Sequence, residues 1–461
     1  MGKLVPIVVV ALAVVVFFLY SKLSDSREKF DFPKHGYFGS GTEKPDDKTI
    51  HPFKIEVPEA VLTDLKNRLT NARFGHEQLE DVSDFEYGFN LKTLKVYRDY
   101  WLNKYDWRKQ EKLLNTFSHF KTQIEGLNIH FIHAKPPANK YKKVVPLLIV
   151  HGWPGNVFEF HKIIPMLTDP NANLNGVQSD VAFEVVAPSI PGYGWSEQAK
   201  KSGFNQVATA RIFNKLMVDR LKFKKYLVQG GDWGSLVVTN VGRMYPENLY
   251  GVHVNMMFMF PGRDFKSTAM MILGSIAPSW VFSSPEFASF NMKRQFVEFI
   301  KESGYMHLQA TKPDTVGVGL NDSPIGLLAY ILEKFSGWTN PLFISHDDGG
   351  LERKFTKDEL ITIIMIYWLN GNIVSSQRYY KEYFGNPEAM KFAEQYVSAP
   401  VGYAHFPHDL GGDAGMPPEI VSVAYNLTHY YRHKDGGHFA AFEVPQYLAK
   451  DFITFAKKVV P

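Results

Sequence analysis

The sequence predicts an α/β fold: a mostly parallel sheet with helices on both faces, an inserted helical region, and an apolar N-terminal segment ahead of it. Three observations carry this. Short apolar runs, VVPLLIV before His151, FEVVA before Pro188 and KYLVQ before Gly230, each end in a turn and are separated by helical stretches. Such near-continuous apolar strands belong to parallel sheets buried on both faces. GGDWG (Gly230–Gly234) then joins a strand directly to a helix. Residues 261–395 break the rhythm, being rich in helix formers and aromatics with no comparable strand runs.

The elements follow in chain order. Leu4 to Tyr20 (LVPIVVVALAVVVFFLY) is an uncharged run of 17 residues. Roughly 17 is the lower end of what a membrane span needs. The run ends in bulky Phe17, Phe18, Leu19 and Tyr20 rather than small residues, which favours a retained anchor over a cleaved signal. Lys22, Arg27 and Lys29 follow it, against Lys3 ahead of it, a bias that favours a cytosolic body. Residues 1–20 are therefore expected to be a transmembrane anchor, and polar residues 21–50, with Gly39, Gly41 and Pro45, a linker. Residues 51–140 combine a helix (apolar at Val57, Val61, Leu62, Leu65 and Leu69) with aromatic loops. Residues 141–260 form the first part of the core, 261–395 a helical cap, and 396–461 the second part of the core. That second part holds YVSAPVGYAHF, a strand near YNLTHYY, a Gly-Gly-His loop and a terminal helix from Val444. Asn426-Leu427-Thr428 matches a glycosylation sequon in a strand-like setting that suggests burial.

Composition narrows the chemistry. The chain has 461 residues, 45% of them apolar, and charges of 51 basic against 47 acidic. A net charge of +4, evenly spread, is no nucleic-acid footprint. With no cysteine, disulfides, thiolate-bound metals and thiol catalysis are excluded.

The chemistry sits at the strand ends. In GGDWG a strand, a sharp turn and a helix lift the central side chain above the sheet, with small residues on both sides because the turn packs closely. That side chain is Asp232, where a hydrolase elbow usually has serine. A carboxylate attacking an ordinary ester would only exchange anhydrides. It can instead displace at an electrophilic carbon and become an alkyl ester, which suits epoxides and alkyl halides. HGWPG (His151–Gly155) follows the strand before it. Such a loop aims a backbone N–H at a developing oxyanion, so the N–H groups of Trp153 and Trp233 are the expected pair. A cis bond at Trp153–Pro154 is compatible with this loop. His438, in the Gly-Gly-His loop, is placed as general base. The orienting acid should lie between nucleophile and base, and AHFPHDLGG offers Asp409 first and Asp413 second; Glu419, Asp435 and Glu443 are weaker candidates. His405 and His408 beside Asp409 would also suit a metal, but an aspartyl-ester hydrolysis needs none, so no cofactor is expected.

With these motifs in place, the chain resembles the microsomal epoxide hydrolases, including the juvenile hormone epoxide hydrolases of insects. HGWPG, GGDWG, GYMHLQATKPDTVG (304–317), LNDSPIGLLAYILEKFSGWTN (320–340), SSQRYYKEY (375–383) and DGGHFAAFE (435–443) carry the resemblance, which covers nearly the whole chain, anchor included. It implies an α/β-hydrolase core, an N-terminal region wrapping cap and core, and a membrane-tethered enzyme of the endoplasmic reticulum that opens lipophilic epoxides with water. It also implies two cap tyrosines as proton donors: Tyr305, and a second that matches Tyr380 best, with Tyr379 adjacent and Tyr383 close. Many members carry Glu where Asp409 stands, so a carboxylate shorter by one methylene must be brought in by loop geometry. Phe282, Phe287, Phe290, Phe296 and Trp280 make the cap aromatic and suggest an apolar substrate. Two other classes remain in view: a haloalkane dehalogenase, which needs a halide-binding donor pair, and a silent binding protein for a lipophilic hormone, which would lack the nucleophile or base.

Overall fold

The computed structural model describes residues 32–461, apart from 76, 258, 260 and 411–414. The expected anchor, the first part of the linker and Asp413 lie outside the described residues. A nine-stranded sheet runs in the order β1-β2-β3-β5-β4-β6-β7-β8-β9. The parallel part comprises β4 (Lys143–Val150), β5 (Val181–Pro188), β6 (Tyr226–Gly230), β7 (Leu249–Val254), β8 (Val397–His405) and β9 (Tyr425–Arg432). Their side chains alternate between two cores. In β4, Leu148 and Val150 join one cluster, while Leu147 and Ile149 join the other on the opposite face. Alternation of this kind requires both faces to be covered.

Residues 51–140, read from sequence as helix and aromatic loops, also hold three antiparallel strands: β1 (His51–Phe53), β2 (His119–Ile124) and β3 (Leu127–Ala134). They extend the core sheet. β2 and β3 meet at a two-residue turn, Glu125-Gly126, with φ of 54° and 78°. Positive φ at both positions is what a twisted hairpin needs. Asp46 accepts from both turn amides, at 2.9 and 2.8 Å. The described end of the expected linker is thus fastened to the sheet. The Glu125 side chain turns inward to Arg211 and Lys215, a buried ion cluster.

Helices Glu59–Thr70 (α1), Gln206–Lys215 (α2) and Asp232–Met244 (α3) contribute to one core, and the terminal helix Pro445–Val459 (α4) to the other. β7 runs into the cap, whose described residues between 265 and 393 form helices and turns without strands. Among the described residues no single helix is long and apolar enough to cross a membrane. Pro313–Asp322 and Pro324–Gly337 reach that length only together, bent by 116°, and the second buries Leu327, Leu328, Ile331 and Leu332 in the protein. Asn426 is half-buried on edge strand β9, its amide donating to Ser398 O.

Candidate active site

β6 ends at Gly230, and α3 begins two residues later with Asp232 itself. Asp232 has φ of 47°, in the left-handed region that costs a side-chain-bearing residue about 1 kcal/mol or more. The turn holds because its neighbours have no Cβ. A Cβ on Gly234 would stand 2.0 Å from Val150 O, and one on Gly230 would stand 2.5 Å from the backbone of Gly234. Gly152 is equally constrained: its Cβ would meet Asp232 Oδ1 at 2.3 Å. The Asp232 turn and the HGWPG loop therefore touch backbone to side chain.

That contact divides the two oxygens of Asp232. Oδ1 accepts the Trp153 N–H at 2.8 Å. Oδ2 faces His438 Nε2 at 3.5 Å. Trp233 follows in the first turn of α3, where amides point out of the helix end toward negative charge. The Trp153–Pro154 bond is cis. His151 braces the loop. Its Nε2 accepts the Ile190 N–H at 3.1 Å, so Nδ1 carries the proton and donates to Gly152 O at 3.0 Å. Burial keeps this imidazole neutral, pulling it down to about 4.

The structure places Asp409, not another carboxylate, on the histidine: His438 Nδ1 to Asp409 Oδ1 is 2.7 Å. The other candidates among the described residues are engaged elsewhere. Asp435 pairs with Lys354, Glu443 accepts the Phe439 N–H, and Glu419 accepts from Ser283. His405 is turned to Tyr430 Oη. Burial disfavours charge on His438, but the Asp409 and Asp232 carboxylates outweigh it and hold the imidazole up at about 10.

Aromatic rings roof the carboxylate. Tyr305 stacks on Trp153 at 5.0 Å and 6°, and Tyr380 stands edge-on to Trp153 at 5.8 Å and to Trp233 at 4.6 Å. The two tyrosine rings lie 5.8 Å apart. Tyr380 Oη is buried beside the Tyr305 hydroxyl. Burial, then Tyr305 and the Asp232 charge, push the Tyr380 phenol well above its usual range; burial and then Asp232 do the same to Tyr305. Tyr379 points the other way, donating to Thr209 Oγ1 at 2.8 Å, and Tyr383 packs beside Trp233. The cap aromatics that suggested an apolar substrate stand apart from these rings. Phe282, Phe287 and Phe290 pack on one another, and Trp280 and Phe296 face outward. The aromatic wall instead comes from Trp153, Trp233, Tyr305, Tyr380 and Trp338, the last 4.8 Å from the His438 ring.

One functional group escaped the sequence reading. Glu159 lines the same pocket as Asp232 and His438, and a Cβ on Gly155 would collide with its carboxyl. Burial raises it to about 8, with His438 opposing and Asp232 adding. The only signal was position: Glu159 falls one short helical turn, Val157–Phe160, beyond HGWPG.

Two families match the chain: Epoxide hydrolase N terminus over residues 50–160, and alpha/beta hydrolase fold over residues 145–297. Epoxide hydrolase 1 of Sus scrofa is 46% identical over 449 residues, covering 96% of this chain and 97% of its own length. Juvenile hormone epoxide hydrolase 2 of Ctenocephalides felis is 41% identical, covering 98% and 95%. The crystal structure of juvenile hormone epoxide hydrolase from the silkworm Bombyx mori superposes with a TM-score of 0.85 at 39% identity, covering 93% of this chain and 99% of that one. These likenesses span the sheet, the cap and the turn that carries Asp232, and the chain belongs to the epoxide hydrolase family of the α/β-hydrolase fold.

Proposed function

We propose that the chain hydrolyses lipophilic epoxides to vicinal diols through an ester on Asp232. The observation that carries this reading is the division of the Asp232 oxygens. Oδ1 accepts the Trp153 N–H, while Oδ2 faces the His438 imidazole and is the oxygen placed to attack beneath Tyr305 and Tyr380. Oδ2 attacks one epoxide carbon, and the C–O bond breaks. The opened oxygen takes a proton by way of the tyrosines, replaced in turn from the His438 imidazolium. Neutral phenols suit this role, being hydrogen-bond donors at neutral pH.

The product is a hydroxyalkyl ester and a neutral His438. Consumption of the Asp232 charge removes one of the two carboxylates that had held the imidazole protonated. The base is thus released by the step that needs it next. His438, oriented by Asp409, takes a proton from water as the water oxygen adds to the Asp232 carbonyl carbon. The oxyanion forms on Oδ1, against the Trp153 N–H and that of Trp233. Collapse expels the second oxygen of the diol, which takes the acid proton, and Asp232 and His438 return as carboxylate and imidazolium. Charge and protons balance over the cycle.

Substrates of this kind partition into lipid. Leu4–Tyr20 serves as a membrane anchor, with the catalytic body on the cytosolic side of the endoplasmic reticulum; the uncharged run and the Lys22, Arg27 and Lys29 that follow it support this. Juvenile hormone and xenobiotic epoxides both belong to this chemical class.

Peptide mass spectrometry on His438→Gln mixed with styrene oxide tests the chemistry. The peptide containing Asp232 should gain the mass of the whole epoxide. An unmodified peptide both in folded His438→Gln and in folded Asp409→Asn, which keeps the imidazole that supplies the tyrosines, with wild type still making diol, would mean direct attack by water and no ester.

A further inference from the structure

Three consecutive helices of the cap expose more apolar surface than folding explains. On α5 (Phe265–Ile276), Ser267, Met271 and Gly274 face the protein, while Ile272, Leu273 and Ile276 are 48%, 51% and 76% exposed. The short α6 (Pro278–Val281) leaves Trp280 86% exposed. On α7 (Met292–Glu302), which has no buried residue, Phe296 and Ile300 are 63% and 56% exposed. The Met292 N–H donates to Ser275 Oγ at 3.0 Å, so α7 starts against the end of α5. With Val297, 42% exposed, beside Phe296, both helices use the same spacing, i, i+1, i+4, which gathers side chains on one face. Contiguous exposed patches of large apolar residues mark an interaction surface.

We propose that this face docks into the surface of a lipid bilayer. Three features select a bilayer over a protein partner. A nearly bare tryptophan beside isoleucines is the composition that settles at the headgroup boundary. α7 carries Lys293, Arg294 and Lys301 against Glu298 and Glu302; Lys301 pairs with Glu298, which leaves Lys293 and Arg294 at the helix start to meet lipid headgroups. The chain also enters the fold nearby. The Phe32 ring packs on Phe392 at 6.1 Å, and Arg263, just before α5, donates to Glu394 O at 3.1 Å. Residue 32 and the start of α5 therefore sit at one helix, Pro387–Ala393. Ser21–Asp31 can stretch to roughly 37 Å at about 3.4 Å per residue, enough to bring Leu4–Tyr20 into the same bilayer. The docked surface leads straight to the chemistry: α7 ends at Glu302, and Tyr305 follows three residues later over Asp232. A lipophilic epoxide would leave the bilayer beside its proton donor.

The proposal rests on the anchor reading, and the test separates the two. The chain has no cysteine, so single cysteines can be introduced cleanly. Trp280→Cys, Phe296→Cys and, at the opposite end of the sheet, Val144→Cys would each be labelled with an environment-sensitive fluorophore. The full chain is then reconstituted in phosphatidylcholine vesicles containing doxyl-labelled lipid. Quenching severalfold stronger at 280 and 296 than at 144 is expected. Equal quenching in a chain that floats with the vesicles would overturn docking and leave the anchor standing; a chain that does not float would overturn both. Fluorescence blue-shifted at 280 and 296 without lipid quenching would mean a second copy covers the face, and would overturn docking too. In a Trp280→Ser/Phe296→Ser/Ile276→Ser variant, KM should rise severalfold for a bilayer-partitioned epoxide while kcat and the KM for a small water-soluble epoxide stay put.

Discussion

Replacing Asp232 by Asn should lower the pKa of His438 and shift it from a resting cation toward the neutral imidazole. The substitution keeps the shape of the side chain and an oxygen for the Trp153 N–H, and removes only the charge. That charge lies 3.5 Å from His438 Nε2. Coulomb attraction at this distance is about 5 kcal/mol at an effective dielectric of ~20 and about 1 kcal/mol in bulk water. At about 1.4 kcal/mol per pH unit, the fall should be between about 1 and about 3.5 pH units. His438 stands at about 10 in the resting protein, so the variant should titrate near or moderately above the range of a free imidazole. Long-range proton–nitrogen NMR on nitrogen-15 histidine protein reads this directly. His438→Gln identifies the resonance among the 16 histidines. Wild-type His438 already neutral at pH 8, or an unchanged pKa in Asp232→Asn, would refute the idea that alkylation frees the base.

The other predictions divide the remaining roles. Asp409→Asn should slow hydrolysis of the ester more than its formation, so intact-mass measurement during turnover should show adduct accumulating; a chain with no adduct and normal kcat would remove Asp409 from the mechanism. Tyr305→Phe/Tyr380→Phe should lose roughly 10²–10⁴ in ring opening by stopped-flow. Tyr379→Phe, which loses only a bond to Thr209, should cost about 1 kcal/mol of stability and leave kcat near normal. Equal kcat losses in Tyr379→Phe and Tyr380→Phe would void the distinction. Glu159 is raised from 4.5 to about 8, so its neutral form stabilises the fold; that contribution is complete below about 4.5 and lost as pH climbs through 8. Thermal melts should therefore show wild type falling behind Glu159→Gln by a few kcal/mol between those limits, and parallel pH profiles would sink the claim.

The parallel half of the sheet was legible because β4, β5 and β6 are nearly all apolar and each ends at a turn the chemistry requires. The antiparallel extension was not. β2 and β3 carry Lys121, Thr122, Gln123, Asn128 and His130, and their turn is Glu-Gly rather than Asn-Gly. The strength of that hairpin comes from Asp46 and Arg211, distant in sequence and invisible to local patterning. β7, with Gly251 and His253, lacks a clean apolar run for a similar reason: His253 is held inside by Asp451 of the terminal helix. In the site, residues on the motifs themselves were found, since a motif fixes its own backbone. Those brought by packing were harder. Glu159 sat beside a recognised loop with no motif of its own, and cap aromatics such as Phe282 and Trp280 gave the polarity of the cap without saying which rings meet Asp232.

The short acid at 409 shows how tertiary contacts settle what a motif leaves open. The Asp409 carboxylate must reach His438 without the extra methylene that Glu would supply. The structure moves the loops instead of lengthening the side chain. The His408 N–H donates to Gly436 O at 3.1 Å, stapling the acid loop to the Gly-Gly-His loop. The His438 N–H donates to Trp338 O at 2.9 Å, fixing the base from the cap side. Both glycines are needed for this approach. Gly436 has φ of 110°, and a Cβ on Gly437 would stand 2.4 Å from Trp338 O. Asp409 Oδ1 also accepts the Leu410 N–H at 2.7 Å, which turns the carboxylate toward the imidazole before any substrate arrives. A longer acid in this frame would have to fold back. Asp409→Glu should therefore impair hydrolysis of the ester rather than improve it.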